Sequence, residues 1–178
     1  MKSLRICTGA LALALLCLLR PALAQENLVV NGGFEEPRLD NCDCGGMEVP
    51  LDTPGIGWSV QGHSQFGLGR LGGLIAAGPV EGTQHYISNA GKVCTLSQNL
   101  QTIPGATYEL KFSYAPRKTV MDYTFLVFWG GQQVASYPIP VNAPGEWHNE
   151  IFQLQAPAET TELKFTTDPA PNIMMKQL

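Results

Sequence analysis

At 178 residues the chain has room for an export signal and one domain with a sizeable core. Its 15 acidic against 11 basic residues give a net charge of −4, which becomes −7 once Lys2, Arg5 and Arg20 are removed with the signal described below; this argues against nucleic acid and anionic membrane surfaces as partners. Nineteen Gly and 13 Pro argue against long helices and for many short strands joined by turns.

Lys2 and Arg5 precede an apolar stretch from Ala10 to Leu19, followed by the small-residue site Ala22-Leu23-Ala24. This pattern predicts a signal peptide over residues 1–24, cleaved after Ala24, and secretion or delivery to a periplasm. The apolar stretch is too short for a membrane span, which needs about 20 residues. Residues 25–178 are then a single domain of 154 residues.

That domain opens with Asn27-Leu28-Val29-Val30-Asn31-Gly32-Gly33-Phe34-Glu35, read as a first strand over Leu28 to Val30 stopped by Asn31-Gly32-Gly33. Glu35 lies beside a Gly-rich bend whose carbonyls could face a cation, so it is a candidate calcium ligand; the competing reading is a solvated strand-end acid. From 36 to 55, prolines and glycines with almost no apolar periodicity predict a long surface loop. Strand character returns at Gly57-Trp58-Ser59-Val60, and 62–73 reads as a second Gly-rich loop carrying His63, Phe66 and Arg70.

Further strands are predicted over Gln84 to Ser88 and Val93 to Leu100, with Cys94, Leu96, Gln98 and Leu100 sharing one face. The clearest alternation runs from Tyr108 to Tyr114, with Tyr108, Leu110, Phe112 and Tyr114 on one side and Glu109, Lys111 and Ser113 on the other. Pro104-Gly105 before it is a type II turn. Tyr123 to Trp129 is apolar on both faces, as a central strand should be, and Gly130-Gly131 turns it into Gln132 to Tyr137. Trp147 to Leu154 and Thr161 to Thr167 alternate again. The class expected is an all-β sandwich with few or no helices.

Removal of the signal leaves Cys42, Cys44 and Cys94, enough for one disulfide in an exported protein. Cys94 paired with Cys42 or Cys44 would tie the 36–55 loop to a later strand, whereas a Cys42–Cys44 bridge would close a small, strained ring.

The chain resembles the galactose-binding-like jelly-roll domains, in particular exported carbohydrate-binding modules and plant cell-wall and bacterial extracellular proteins. The resemblance rests on the opening Asn27 to Glu35, Gly57-Trp58, the stretch Gly82 to Ile87, the stretch Leu96 to Tyr108, Phe128-Trp129-Gly130-Gly131 and Trp147. It implies a jelly-roll sandwich that binds polysaccharide without catalysis. It also implies a closing strand whose Asp lies beside the first strand and helps hold a structural calcium. Here that region reads Ile173-Met174-Met175-Lys176, and a thioether is no ligand for a hard cation, so no cofactor is expected beyond a weakened calcium site at Glu35.

Sugar recognition needs aromatic faces and hydroxyl partners, and the candidates are Trp58, His63, Phe66, Arg70, His85, Tyr86, Tyr114 and Arg117, with Gln61 and Asn89 beside them. Each also has a plainer reading as core packing or an ordinary loop residue. Ala115-Pro116-Arg117-Lys118 is the one local concentration of positive charge, where an acidic polysaccharide could dock. An extracellular protein-interaction module is the main alternative. A glycan-acting hydrolase is disfavoured: there is no Gly-x-Ser-x-Gly or His-Glu-x-x-His, and Glu81, Asp122 and Glu146 are scattered.

Overall fold

The computed structural model describes residues 26–39, 47–62, 65–69, 80–87, 93–116 and 122–169. Among the described residues ten strands are present: β1 (Met47–Pro50), β2 (Ser59–Gln61), β3 (Gln65–Gly69), β4 (His85–Tyr86), β5 (Thr95–Gln101), β6 (Thr107–Tyr114), β7 (Tyr123–Trp129), β8 (Gln132–Ile139), β9 (His148–Gln155) and β10 (Thr160–Pro169). No helix occurs among the described residues. The fold is an all-β sandwich in which every pairing is antiparallel.

One layer is a five-stranded sheet in the order β2-β5-β10-β7-β8. β10 is its central strand; β7, predicted to be central because it is apolar on both faces, lies one place away, paired on its two edges with β10 and β8. Gly130 and Gly131, at φ 57° and 82°, make the tight β7–β8 turn; a Cβ on Gly130 would come within 2.4 Å of the Pro157 ring. Against this sheet lies the β6-β9 pair, whose register sets Tyr108, Leu110, Phe112 and Tyr114 opposite Leu154, Phe152, Glu150 and His148. The β1-β3-β4 sheet supplies Val49 and Leu68 to the same core.

Aromatic rings run through that core in contact. Tyr86 meets Phe34 (5.7 Å between centroids), Phe34 meets Trp58 (5.6 Å) and Trp58 meets Phe165 (6.2 Å). Phe165 meets Phe112 (5.3 Å) and Phe125 (6.0 Å), and Phe125 meets Tyr114 (5.1 Å). Rings at such separations contribute about 0.5–1.5 kcal/mol per pair beyond the area they bury.

Three expectations are corrected. Leu28 to Val30 is not a strand: Asn31 (φ 51°) and Phe34 (φ 58°) hold the chain in a turn, closed by Phe34 N–H donating to the Asn31 carbonyl at 3.1 Å. The 36–55 loop contains β1 and the buried Leu39, because Val49 and Leu39 find apolar cover that local composition does not reveal. The second loop contains β3, where Gly67 and Leu68 alternate toward a neighbouring strand and the core.

The opening segment is nonetheless fixed, by side-chain amides instead of a ladder. Gln98, on β5, accepts from Val30 N–H (2.8 Å) and donates to the carbonyls of Val30 (3.0 Å) and Gly57 (2.8 Å). Gln84 accepts from Leu39 N–H (2.6 Å) and donates to Phe34 (2.8 Å) and Pro37 (3.2 Å). Asn31 accepts from Glu36 N–H and donates to the carbonyls of Glu36 and Ile56. Each amide thus satisfies backbone groups that would otherwise be stranded at the edge of the core.

Candidate functional site

At one end of the sandwich β6 finishes and β7 and β9 begin. Tyr114 from β6, Tyr123 and Phe125 from β7, Tyr137 from β8, and His148 and Glu150 from β9 converge there. Strand alternation turns all six toward the space between the layers, since Phe125 pairs with Tyr137 and Tyr114 with His148. Tyr114 is at the centre, 4.8 Å from Tyr137, 5.1 Å from Phe125 and stacked on the His148 imidazole at 5.0 Å. Tyr114, Tyr123, Phe125, Tyr137 and Glu150 are part-exposed and His148 is exposed, so the aromatic row of the core emerges here as a wet mouth.

The polar groups of this mouth are arranged around Glu150. Burial, a hydrogen bond with Glu150 and the Glu150 charge all hold the Tyr137 phenol far above its ordinary ionisation range. Burial and the charge of Glu150 push Tyr114 the same way. Both phenols are therefore neutral hydroxyls, able to donate and accept, beside a carboxylate acceptor. Asp122, just before β7, accepts from Val141 N–H at 2.5 Å and braces the turn after β8.

The residues singled out from the sequence are scattered by the fold. Tyr114 is in the mouth. Trp58 is 7% exposed, packs on Phe34 and Phe165, and donates its indole N–H to the Asn31 carbonyl at 3.1 Å, so it is a core anchor. Tyr86 is half-buried against Phe34, its hydroxyl 3.2 Å from the Cys94 sulfur and its ionisation suppressed by burial. His85 is 7% exposed, meets Trp147 edge-on at 6.1 Å, and has no hydrogen-bond partner at either ring nitrogen among the described residues. Burial depresses its pKa. Phe66 occupies β3 opposite Val49, and Gln61 ends β2, exposed. His63, Arg70, Asn89 and Arg117 lie outside the described residues, as do Cys42, Cys44, Met174 and Met175.

Cys94 is a free, buried thiol beside the Tyr86 hydroxyl, and its expected disulfide partners Cys42 and Cys44 lie outside the described residues. Cys94, just before β5, is buried next to a phenol, a place a small apolar side chain fills well.

Glu35 is held in place by hydrogen bonds from the segment before β4. One oxygen accepts from the backbone N–H groups of Thr83 (2.7 Å) and Gln84 (3.0 Å), and the other from the Thr83 hydroxyl (2.7 Å). Partial burial works to raise its pKa, but these hydrogen bonds and the charge of Arg38 outweigh it and hold the carboxyl below its ordinary range. Two N–H donors engage one carboxylate oxygen and a hydroxyl engages the other. Among the described residues no three His, Cys, Asp or Glu side chains gather to hold a metal.

Sequence reasoning missed Tyr123, Tyr137, His148 and Glu150 as members of one site. The available signal was Glu150 itself, an acid at a position of β9 that alternation assigns to the interior.

No protein-family model and no curated protein sequence matches the chain. Solved structures similar to it include a family 35 carbohydrate-binding module from Clostridium thermocellum, at 12% identity and a TM-score of 0.44, covering 71% of this chain and 91% of that one. The enzymatically active domain of tailspike protein 4 from bacteriophage CBA120 is similar at 17% identity and 0.41, over 81% of this chain and 19% of that one. The carbohydrate-binding module TmCBM61, solved with β-1,4-galactotriose, is similar at 13% identity and 0.38, over 80% of this chain and 88% of that one. At these levels the likeness extends to no site residue.

Proposed function

We propose that the chain is an exported, non-catalytic carbohydrate-binding domain that holds a polysaccharide at the mouth formed by Tyr114, Tyr123, Phe125, Tyr137, His148 and Glu150. The observation that carries this reading is the emergence of an aromatic core row into solvent beside a carboxylate and neutral phenols. Sugar rings present apolar C–H faces that pack on such side chains, and hydroxyls that need both donors and acceptors. The mouth supplies both within one short span. The sequence resemblance to exported carbohydrate-binding modules supports the same reading, as does the signal-like segment at residues 1–24. Among the described residues no helix is long and apolar enough to cross a membrane.

Catalysis is disfavoured because the mouth presents one inward carboxylate among the described residues, whereas glycoside hydrolysis ordinarily uses two flanking the scissile bond. The reading is tested by affinity electrophoresis and pull-down on a panel of neutral, basic and acidic polysaccharides. Retention on at least one is expected, reduced about fivefold or more by His148→Ala or Tyr137→Ala, since stacking contacts of roughly 1 kcal/mol or more are lost with each ring. Retention unchanged in both variants would move the site elsewhere. No retention on any glycan would favour the protein-interaction module.

A further inference from the structure

On β9 the inward positions are His148, Glu150, Phe152 and Leu154, each facing β6 across the pair. Glu150 is the acid of that row, part-buried between layers whose other residues are aromatic or aliphatic. The Tyr137 hydroxyl hydrogen-bonds with it, and the charge of Glu150 is felt at both Tyr137 and Tyr114.

The described cations all stand elsewhere. Lys111 points from the outer face of β6 and pairs with Glu109 at 2.6 Å. Lys164 lies over the Phe128 ring on the outer face of the five-stranded sheet. Arg38 acts on Glu35 at the opposite end of the chain's aromatic row. Among the described residues, then, the mouth combines aromatic rings and a carboxylate with no lysine or arginine.

We propose that Glu150 selects the charge of the ligand: the mouth takes saccharides carrying a protonated amine in preference to their uncharged counterparts, and rejects uronates. The proposal rests on the sugar-binding reading of this same mouth. An ammonium group next to Tyr114 and Tyr137 gains the attraction of the ring quadrupoles as well as an ion pair with Glu150. A uronate carboxylate meets like charge in the same place, and such juxtapositions are what make an interface discriminate.

The test is calorimetric titration at low ionic strength with oligomers of glucosamine, glucose and galacturonate, on the native protein and on Glu150→Gln. The amide keeps the shape of the side chain, and a melting curve reports whether the variant is folded. The native protein is expected to bind the glucosamine oligomer about tenfold or more tighter than the glucose oligomer and the galacturonate oligomer least. In Glu150→Gln the spread should collapse to about threefold or less. Equal binding of the amine-bearing and neutral oligomers, an unchanged order in the variant, or tightest binding of galacturonate would overturn the charge selection while leaving sugar binding in place. Galacturonate binding that is lost in Arg117→Ala would assign recognition to the β6–β7 connection. Failure of every oligomer to bind would remove the sugar-binding reading and the selection with it.

Discussion

Glu35 and His85, both singled out from the sequence, each bear on the stability of the fold. Glu35 takes three hydrogen bonds from Thr83 and Gln84 and so ties the opening segment to the approach of β4. Its folded pKa is depressed, so the stability it contributes is present above the ordinary carboxylate value of 4.5 and is lost as pH falls through the lower folded value. His85 is also depressed, by burial, so the unfolded chain binds a proton more readily. Folding stability therefore declines as pH drops below about 6.5, where the unfolded imidazole titrates. Melting temperatures followed from pH 8 to pH 3 should fall in two stages. His85→Phe should remove the upper stage, and Glu35→Gln should lower stability by about 1–2 kcal/mol at neutral pH, discounted for solvent exposure, and flatten the lower one. A chelator should leave the native curve where it is, and an upward shift with added calcium would restore the metal reading of Glu35.

Among the elements, the opening segment is the one whose attachment is least conventional. Three amides, from Asn31, Gln84 and Gln98, replace a β-ladder. Gln98→Leu would keep the volume of a buried side chain while stranding Val30 N–H and two carbonyls. A loss of about 2–4 kcal/mol is expected in the denaturation midpoint, with early proteolysis between residues 26 and 39; wild-type stability would mean that water serves these groups equally well. This attachment also explains what could be read in advance. Strands β6, β9 and β10 are legible because Tyr108 to Tyr114, Trp147 to Leu154 and Thr161 to Thr167 alternate with a period of two, and β7 and β8 because an apolar run is turned back by Gly130-Gly131. The opening was misread because its partners, Gln84 and Gln98, lie 45 to 68 residues away and act through side chains. The same holds for β1 and β3, short strands stabilised by each other and not by their own composition. In the mouth, Tyr114 was legible as a candidate, but its companions arrive from β7, β8 and β9, and nothing local in the chain states that these strands adjoin.

At the scale of the whole molecule, one aromatic row links the two ends of the sandwich, from Tyr86 and Phe34 through Phe165 to Tyr114. At one end it is sealed by Trp58, Tyr86 and the Cys94 thiol, and at the other it stands open beside Glu150 and His148. The sealed end holds the fold, and the other end is the mouth proposed above to hold a ligand. A titration of isotope-labelled protein with a soluble oligosaccharide that it retains, followed by two-dimensional NMR, measures this division directly. The resonances expected to move are those of Tyr114, Tyr123, Phe125, Tyr137, His148 and Glu150, with Trp58, Tyr86 and Cys94 unmoved; shifts confined to Gln61 and the 63–73 segment, with the mouth silent, would contradict the account.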